Sequence, residues 1–476
     1  MSPVTSPSRI AILGGGPGGY EAALSAARLG ADVTVVSDGL GGSAVLTDCV
    51  PSKTLIAVAE VVTLAAESGG LGVRVGSNVI GDIDGDGIPD GKVGVDLAAV
   101  NARIKRLAAA QSDDIGQRLE KEGVRVLDGR GRLDGPSRVV ATLADGSSET
   151  VDADAVLVAT GAHPRVLAGS EPDGERILTW EQLYELRELP EQLIVVGSGV
   201  TGAEFASAYN ALGSSVTLVS SRDRVLPSED ADAAQVLEEV FARRGMTVLS
   251  RSRASSVKRV GDGVVVALED GRTVEGSHCL LAVGSIPNTA GIGLEEAGVT
   301  LGRGGYIEVD KVSRTSNRGV YAAGDCTGVL MLASVAAMQG RIAIWHALGE
   351  AVTPLDLKSV SANVFTDPEI ATVGWSQEAA EAAGSHVVTV KLPLSTNPRA
   401  KMQGLQDGFV KLTCRRGSRI IVGGVVVAPR ASELVHPVSL AVALGLTVDQ
   451  VAHAFTVYPS LSGSIAEAAH QLHNRA

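Results

Sequence analysis

The chain has 476 residues, enough for about three domains of ordinary size. With 45% apolar and 20% charged residues it can bury several cores, which excludes a disordered chain, and 57 glycines against 3% aromatics suit Ala/Val/Gly-rich α/β packing. The net charge of −13 argues against a nucleic-acid partner, which needs a basic stripe.

After a loose tail of eight residues, residues 9–13 (RIAIL) form a short apolar run broken by the turn Gly14-Gly15-Gly16-Pro17-Gly18-Gly19. YEAALSAARLG follows at helical period, then VTVVS reads as a second buried strand, completing a βαβ unit. Residues 98–122 predict a long helix, and 124–159 alternate as short antiparallel strands do. The opening pattern then recurs as LIVVG, SGVTG, AEFASAYNALG and VTLVS, and another strand block runs through 246–283. The C-terminal part holds a strand-rich stretch, FVKLTCRRGSRIIVGGVVV, followed by apolar helical segments. This order predicts an α/β chain with two Rossmann-like dinucleotide-binding domains and a separate C-terminal α+β domain. The expected boundaries are 1–165 and 289–355 for the two parts of the first nucleotide domain, 166–288 for the second, and 356–476 for the last. The start lacks the basic-then-apolar pattern of a signal, and no apolar run reads as a membrane span, so neither membrane association nor export is expected.

Gly14, Gly16 and Gly19 make one G-x-G-x-x-G, and Gly197, Gly199 and Gly202 make another. In such a turn the first glycine permits the tight bend, the second lets a pyrophosphate approach the backbone, and the third lets helix and strand pack closely. The helix N-terminus then offers N–H groups and a positive dipole end to the phosphates. An acid at the end of the following strand would hold ribose hydroxyls. The twenty-third residue after Gly14 is Ser37, and the twenty-third after Gly197 is Ser220, so neither position is acidic. Asp38 can still serve the first site. The second offers Ser220, Ser221, Arg222 and Arg224, with Asp223 between the arginines, a set that suits a ribose 2′-phosphate and hence NADPH as well as NADH. Solvated loop residues at a strand end are the alternative.

With these turns in hand, the chain resembles the two-dinucleotide flavoprotein disulfide reductases, such as lipoamide dehydrogenase and glutathione reductase. The resemblance runs over nearly the whole chain: Gly41 to Lys53 (GG-S-x5-CVPSK), Ala159–Gly161 (ATG), Val283–Asn288 (VGSIPN), Val320–Asp325 (VYAAGD) and Phe365–Gly374 (FTDPEIATVG). It implies FAD on the first turn, including Pro17 and Gly18, with Gly42, Ser43, Lys53, Thr160, Gly161, Asp325 and Ala333. It implies NAD(P)H on the second turn with Gly284, and a C-terminal domain that forms a homodimer. Asp325 is implied to bond the ribityl or phosphate region. Lys53 resembles the lysine beside the flavin, and Glu204 its ion-pair partner on the nicotinamide side.

The departures bear on function. The family carries two redox cysteines, but here Ala44 stands at the first position and only Cys49 remains. Cys279, Cys326 and Cys414 are scattered without framework spacing, which implies a reducing, cytoplasmic setting. The family's H-P-x-L-S-E is replaced by Tyr458-Pro459-Ser460-Leu461-Ser462-Gly463, so the His and Glu of the thiol chemistry are gone as well. Cys49 at a helix start is expected to lean towards thiolate, unless it is an inert core cysteine. What remains is hydride transfer, and the expected activity is an NAD(P)H:quinone-type oxidoreductase in which reduced flavin passes electrons directly to the acceptor. Tyr458 then either donates to the quinone oxygen or serves packing. A pyridine nucleotide transhydrogenase and a non-catalytic flavoprotein are the other readings.

One motif stands apart. Asp82-x-Asp84-x-Asp86-Gly87-x-x-Asp90 imitates the start of a calcium loop, but Val93 occupies the place of its closing Glu. An acidic hairpin without a metal is expected there.

Overall fold

The computed structural model describes residues 7–73, 94–473 and 475, so the Asp82–Asp90 motif lies outside the described residues. Two compact units share the chain. One holds the chain up to Ser52, Asn101–Arg165 and Gly284–Asp356; the other holds the described part of Lys53–Val100, Val166–Val283 and the chain from Leu357 on.

The first unit is built on a seven-stranded sheet in the order Val320–Ala322, Ala155–Val158, Arg9–Leu13, Asp32–Ser37, Arg125–Leu133, Arg138–Leu143, Ser148–Asp152. The first five strands pair in parallel, and the last two add antiparallel. The block read as antiparallel over 124–159 is therefore mixed: its first strand also joins the parallel sheet, and its last, Ala155–Val158, lies centrally in it. The last strand is buried at every position, and the continuous apolar run AVLV marks a strand covered on both faces better than alternation does. The helix Pro17–Arg28 packs against Ala333–Ala347 so closely that a Cβ at Gly340 would fall 2.1 Å from the Gly18 carbonyl oxygen. Beside this contact Arg341 pairs with Glu21 at 3.2 Å.

The second unit contains a five-stranded parallel sheet in the order Thr247–Leu249, Ser215–Val219, Gln192–Val196, His278–Leu281, Ile177–Leu178. Only the middle of the 246–283 block is antiparallel, through Ala254–Val260, Gly263–Leu268 and Thr273–Gly276. The C-terminal part forms an antiparallel sheet in the order Ser361–Val364, Glu369–Gly374, Ile421–Ala428, Phe409–Arg415, Val387–Pro393. Helices including His436–Leu444 and Gly463–His473 cover it over a core of Leu412, Val426, Val438, Ile465 and Ala468. The fold is thus α/β with two Rossmann-like nucleotide folds and a C-terminal α+β domain.

One sequence expectation needs correction. The stretch Gly42–Leu71 is, by length and composition, apolar enough to cross a membrane. It consists of a short helix, Gly42–Leu46, then Cys49–Glu67 and a final 3-10 turn. Within the fold Leu55, Ile56, Ala59 and Val62 are buried while Val61 and Leu64 are exposed, and Lys53 interrupts the apolar character with an ion pair. The apolar character of this stretch is summed over two helices and a turn, so it shows in the mean hydropathy and not as an unbroken apolar run.

The Gly18–Gly340 contact gives a direct test of packing. Gly340→Ala should destabilise the folded protein by about 1–3 kcal/mol, since backbone on both sides must shift, and a urea melt of the holoprotein reads the loss.

Candidate active site

Gly14 has φ 103°, and a Cβ there would lie 2.2 Å from the Ala159 carbonyl oxygen; its N–H donates to the Val36 carbonyl at 2.8 Å. A Cβ at Gly19 would fall 1.9 Å from the Gly14 carbonyl oxygen, so neither position admits another residue. Gly16 caps the helix Pro17–Arg28 in extended conformation, and no side chain accepts from the first-turn N–H groups. The positive dipole end of this helix fits the diphosphate of FAD. Gly42 sits against the same turn, where a Cβ would come 2.8 Å from the Gly16 Cα, and Ser43 follows it in the short helix.

Ser37 is buried, and its hydroxyl accepts from Gly15 N at 3.0 Å and Gly39 N at 3.2 Å while donating to the Gly39 carbonyl at 3.0 Å. It closes the loop on itself. Asp38, exposed next to it, pairs with Arg130 at 2.8 Å and is the carboxylate at this strand end. On the other flank, Thr160 Oγ1 donates to the Asn288 carbonyl at 2.8 Å, Asn288 Nδ2 donates to the Thr160 carbonyl at 2.9 Å, and Asn288 N donates to the Gly161 carbonyl at 3.0 Å. These bonds align Ala162–Pro164 with Ser285–Pro287. Gly284, expected with the second nucleotide, stands in this first unit, its carbonyl accepting from Arg165 N at 2.9 Å.

Asp325 follows the strand Val320–Ala322 through Gly324, whose φ is 82° and whose N–H donates to Gln339 Oε1 at 2.9 Å. Burial, and then the neighbouring Asp48, push the Asp325 carboxyl up to about 6. Ala333 opens the helix Ala333–Ala347, which also lacks a side-chain cap. A cavity of about 400 Å³ elsewhere in this unit, lined by Arg132, Asp134, Thr289 and Glu295 among others, includes none of these residues.

Cys49 is the first residue of the helix Cys49–Glu67, half-buried and in no disulfide. Lys53 follows one turn later, so the two side chains share a helix face. Lys53 Nζ donates to Glu204 Oε2 at 2.7 Å, with side-chain exposures of 28% and 4%. The sequence expectation placed these two together, and the fold does so although 151 positions separate them. Tyr458 lies at the surface, 82% exposed, alongside the exposed Phe455 and Val457.

The second glycine turn repeats the first. Gly197 has φ 114°, a Cβ there would meet the Ala282 carbonyl oxygen at 2.1 Å, and its N–H donates to the Val219 carbonyl at 2.9 Å. A Cβ at Gly202 would lie 1.9 Å from the Gly197 carbonyl oxygen. Gly199 caps the helix Val200–Leu212 without a side-chain acceptor, and nothing lies within 4 Å of its would-be Cβ. Ser220, expected to face the ribose, is fully buried: its hydroxyl bonds Ser198 Oγ at 2.7 Å and accepts from Arg222 N at 3.1 Å. It replaces an acid as a lock between turn and strand, since its hydrogen-bonding capacity is used inside the protein. Arg224 is likewise committed, donating to the carbonyls of Pro227 and Glu229 at 3.2 Å each. Ser221 and Arg222 remain exposed.

A further arginine escaped the sequence reading. Arg251 is exposed, held at φ 52°, and its N–H donates to the Arg222 carbonyl at 2.7 Å, while Ser252 N donates to the Ser220 carbonyl at 2.7 Å. The ends of the adjacent parallel strands Ser215–Val219 and Thr247–Leu249 thus bring two arginine backbones together. The signal was the rule that doubly wound sheets bind ligand at the carboxyl ends of neighbouring strands, applied to the third strand as well as the second.

Residues 8–340 match the family described as pyridine nucleotide-disulphide oxidoreductase, and residues 360–469 match its dimerisation domain. The chain belongs to this family: it is a flavoprotein oxidoreductase of the FAD- and NAD(P)H-binding kind. It is 56% identical over 475 residues to the NAD(P)H dehydrogenase (quinone) of Mycobacterium tuberculosis, covering 98% of this chain and 94% of the relative. It is 35% identical over 465 residues to the dihydrolipoyl dehydrogenase of Chlorobaculum tepidum, covering 97% and 96%. The crystal structure of LpdA from Mycobacterium tuberculosis is similar with a TM-score of 0.91 at 55% identity, over 98% of this chain and 99% of that one.

Asp325 offers a test of the flavin side. Hydroxyl donors of a ribityl chain would favour its carboxylate over the acid that burial favours, lowering its pKa from about 6 on binding. FAD uptake by the apoprotein near pH 6, where a group of pKa about 6 is half protonated, should therefore release up to about half a proton, and affinity should rise with pH through that range and level off above it. Calorimetry in buffers of different ionisation enthalpy measures the release; Asp325→Asn retaining the same release would remove Asp325 from the site.

Proposed function

We propose that the chain is an NAD(P)H:quinone-type oxidoreductase that accepts NADPH, holds FAD on the first glycine turn, and passes two electrons from flavin directly to the acceptor without a redox disulfide. The observation that carries this reading is the intact Lys53–Glu204 pair beside a thiol site reduced to Cys49, with Ala44 in place of its partner. The remaining cysteines support it. Cys279, Cys326 and Cys414 are buried, and burial raises each thiol, to about 11 for Cys326, which disfavours the thiolate that exchange requires. The name of the Mycobacterium tuberculosis relative points the same way.

In this reading, Gly14, Gly16 and Gly19 let the diphosphate approach the backbone, and Asp38 and Asp325 receive hydroxyl donors of the cofactor. Bound FAD supplies a two-electron store that takes hydride from NAD(P)H and gives it to a quinone. Lys53 and Glu204 hold an ammonium and a carboxylate in fixed places for the hydride step, a pairing that removes the cost of burying either charge alone. Gly197, Gly199 and Gly202 receive the second diphosphate. Arg222, with Arg251 beside it, reads the 2′-phosphate, as no acid stands at the strand end to repel it. The C-terminal domain pairs two copies, and the exposed Phe455, Val457 and Tyr458 suit an interface between them.

Two measurements test this function. Anaerobic titration with dithionite should bleach the flavin after about two electrons, as expected for FAD as sole redox store, and NADPH oxidation should be stimulated by quinone and not by lipoamide. An end point near four electrons, or robust lipoamide turnover, would return the chemistry to sulfur. Separately, Arg222→Ala and Arg251→Ala should each weaken NADPH binding by on the order of 1.5–3 kcal/mol, the value of a charged hydrogen bond, with little change for NADH. Equal losses for both nucleotides would show that neither arginine reads the phosphate.

A further inference from the structure

Glu204 is held from a second side. While Oε2 takes the Lys53 ammonium, Oε1 accepts from the main-chain N–H of Phe365 at 2.9 Å. The Phe365 ring also faces that ammonium, with Lys53 Nζ 4.9 Å from its centroid. An N–H donor favours the ionised carboxylate and an aromatic face favours the ammonium, so a single residue stabilises both charged forms of the pair.

Phe365 lies in the short segment between the strands Ser361–Val364 and Glu369–Gly374, which belong to the C-terminal sheet. That segment is tied to the nucleotide-binding fold at two more points. Asp367 N donates to Ser207 Oγ at 3.2 Å, and Ser207 is one helical turn beyond Glu204 on the same face. Arg244, at the end of the helix Ala231–Arg243, donates to Asp367 Oδ2 at 2.7 Å and to the Asp367 carbonyl at 3.1 Å. A planar guanidinium gripping both the carboxylate and the carbonyl of one residue fixes that residue's backbone as well as its side chain.

We propose that Arg244 and Asp367 are positioning residues for the hydride step: they clamp the Phe365–Pro368 segment so that Phe365 keeps Glu204 a carboxylate and Lys53 an ammonium. The inference rests on the reading that the Lys53–Glu204 pair serves hydride transfer. Without the clamp, the Phe365 N–H drifts from Glu204, a nearly buried carboxylate loses one of its two named donors, and its pKa rises. The other charges around the segment are Glu60 and Glu67 of the lysine-bearing helix, Glu369 of the following strand, and Arg430. Glu60 is itself held above the usual carboxylate range, by burial first and then by Glu369 and Asp367.

The test uses the full-length holoprotein as Asp367→Ala, Glu204→Gln and the double variant. Two quantities are read: the absorbance of oxidised flavin against pH without nucleotide, and the rate of flavin reduction by NADPH. Asp367→Ala should introduce a one-proton step in the flavin spectrum that the unaltered protein lacks, and should slow reduction about tenfold, the scale of one lost hydrogen bond to a charged group. The loss should be larger at pH 6 than at pH 8.5, because a raised Glu204 pKa removes the carboxylate as pH falls. In the Glu204→Gln background the step should vanish and Asp367→Ala should cost nothing further. Equal slowing in both backgrounds, or no spectral step, overturns the clamp. If Glu204→Gln leaves reduction unchanged, the hydride reading of the pair fails, while the spectral step still decides whether Asp367 controls Glu204. Should Asp367→Ala fail to retain flavin, Arg244→Lys keeps the charge, loses the two-point grip, and is judged by the same outcomes.

Discussion

Burying a carboxylate is costly unless each of its oxygens finds a partner, and much of the second unit can be read as meeting that demand at Glu204. The helix Cys49–Glu67 supplies the Lys53 ammonium, and the C-terminal segment supplies the Phe365 N–H. The next turn of Glu204's own helix supplies Ser207 to hold that segment in place. Three stretches far apart in sequence are thereby fixed around one side chain. A charge placed this way needs no reorganisation when a reaction develops charge nearby, and this is what a fixed ion pair offers catalysis over a solvated one.

The two glycine turns show the same economy of design at the backbone. In each, the first glycine's N–H reaches the strand behind it, and the third glycine's missing side chain lets the turn's own carbonyl lie against the helix. In each, a buried serine at the strand end spends its hydroxyl on the turn: Ser37 on Gly15 and Gly39, Ser220 on Ser198 and Arg222. With a neutral strand end, the exposed neighbours differ in sign, Asp38 in the first fold and Arg222 with Arg251 in the second. In the proposed reading, an acid beside one nucleotide and arginines beside the other suit the ribose each would read.

Membership in a disulphide oxidoreductase family and the proposed direct flavin route are compatible because the family's chemistry has two separable halves. In the proposed reading, hydride transfer depends on the nucleotide folds and the buried pair, and thiol exchange depends on a second cysteine and its acid–base partners. Ala44, Tyr458 and Gly463 remove residues from the second half only. Under the proposed direct route Cys49 exchanges no disulfide, and it still sits at a helix start where the dipole favours thiolate.

Through the family resemblance the sequence also implied the Lys53–Glu204 partnership, and by itself it determined the architecture: two βαβ units with G-x-G-x-x-G turns and the strand-rich C-terminal part were legible in periodicity and glycine spacing. These features are local, or repeat a local pattern, so a few residues suffice to state them. What the sequence misjudged was set by distant neighbours. Ala155–Val158 joined the parallel sheet because Arg9–Leu13 and Val320–Ala322 flank it. Ser220 was lost as a ribose contact because Ser198 took its hydroxyl. Arg251 gained its place because two strands whose paired residues lie 30 positions apart end side by side, as the pairing of Thr217 with Thr247 and Val219 with Leu249 shows. The clamp of Arg244 on Asp367 spans 123 positions and carries no motif. Hydrogen-bonding capacity is finite, and which partner claims each donor or carboxylate is decided only when the folded chain brings the competitors within reach.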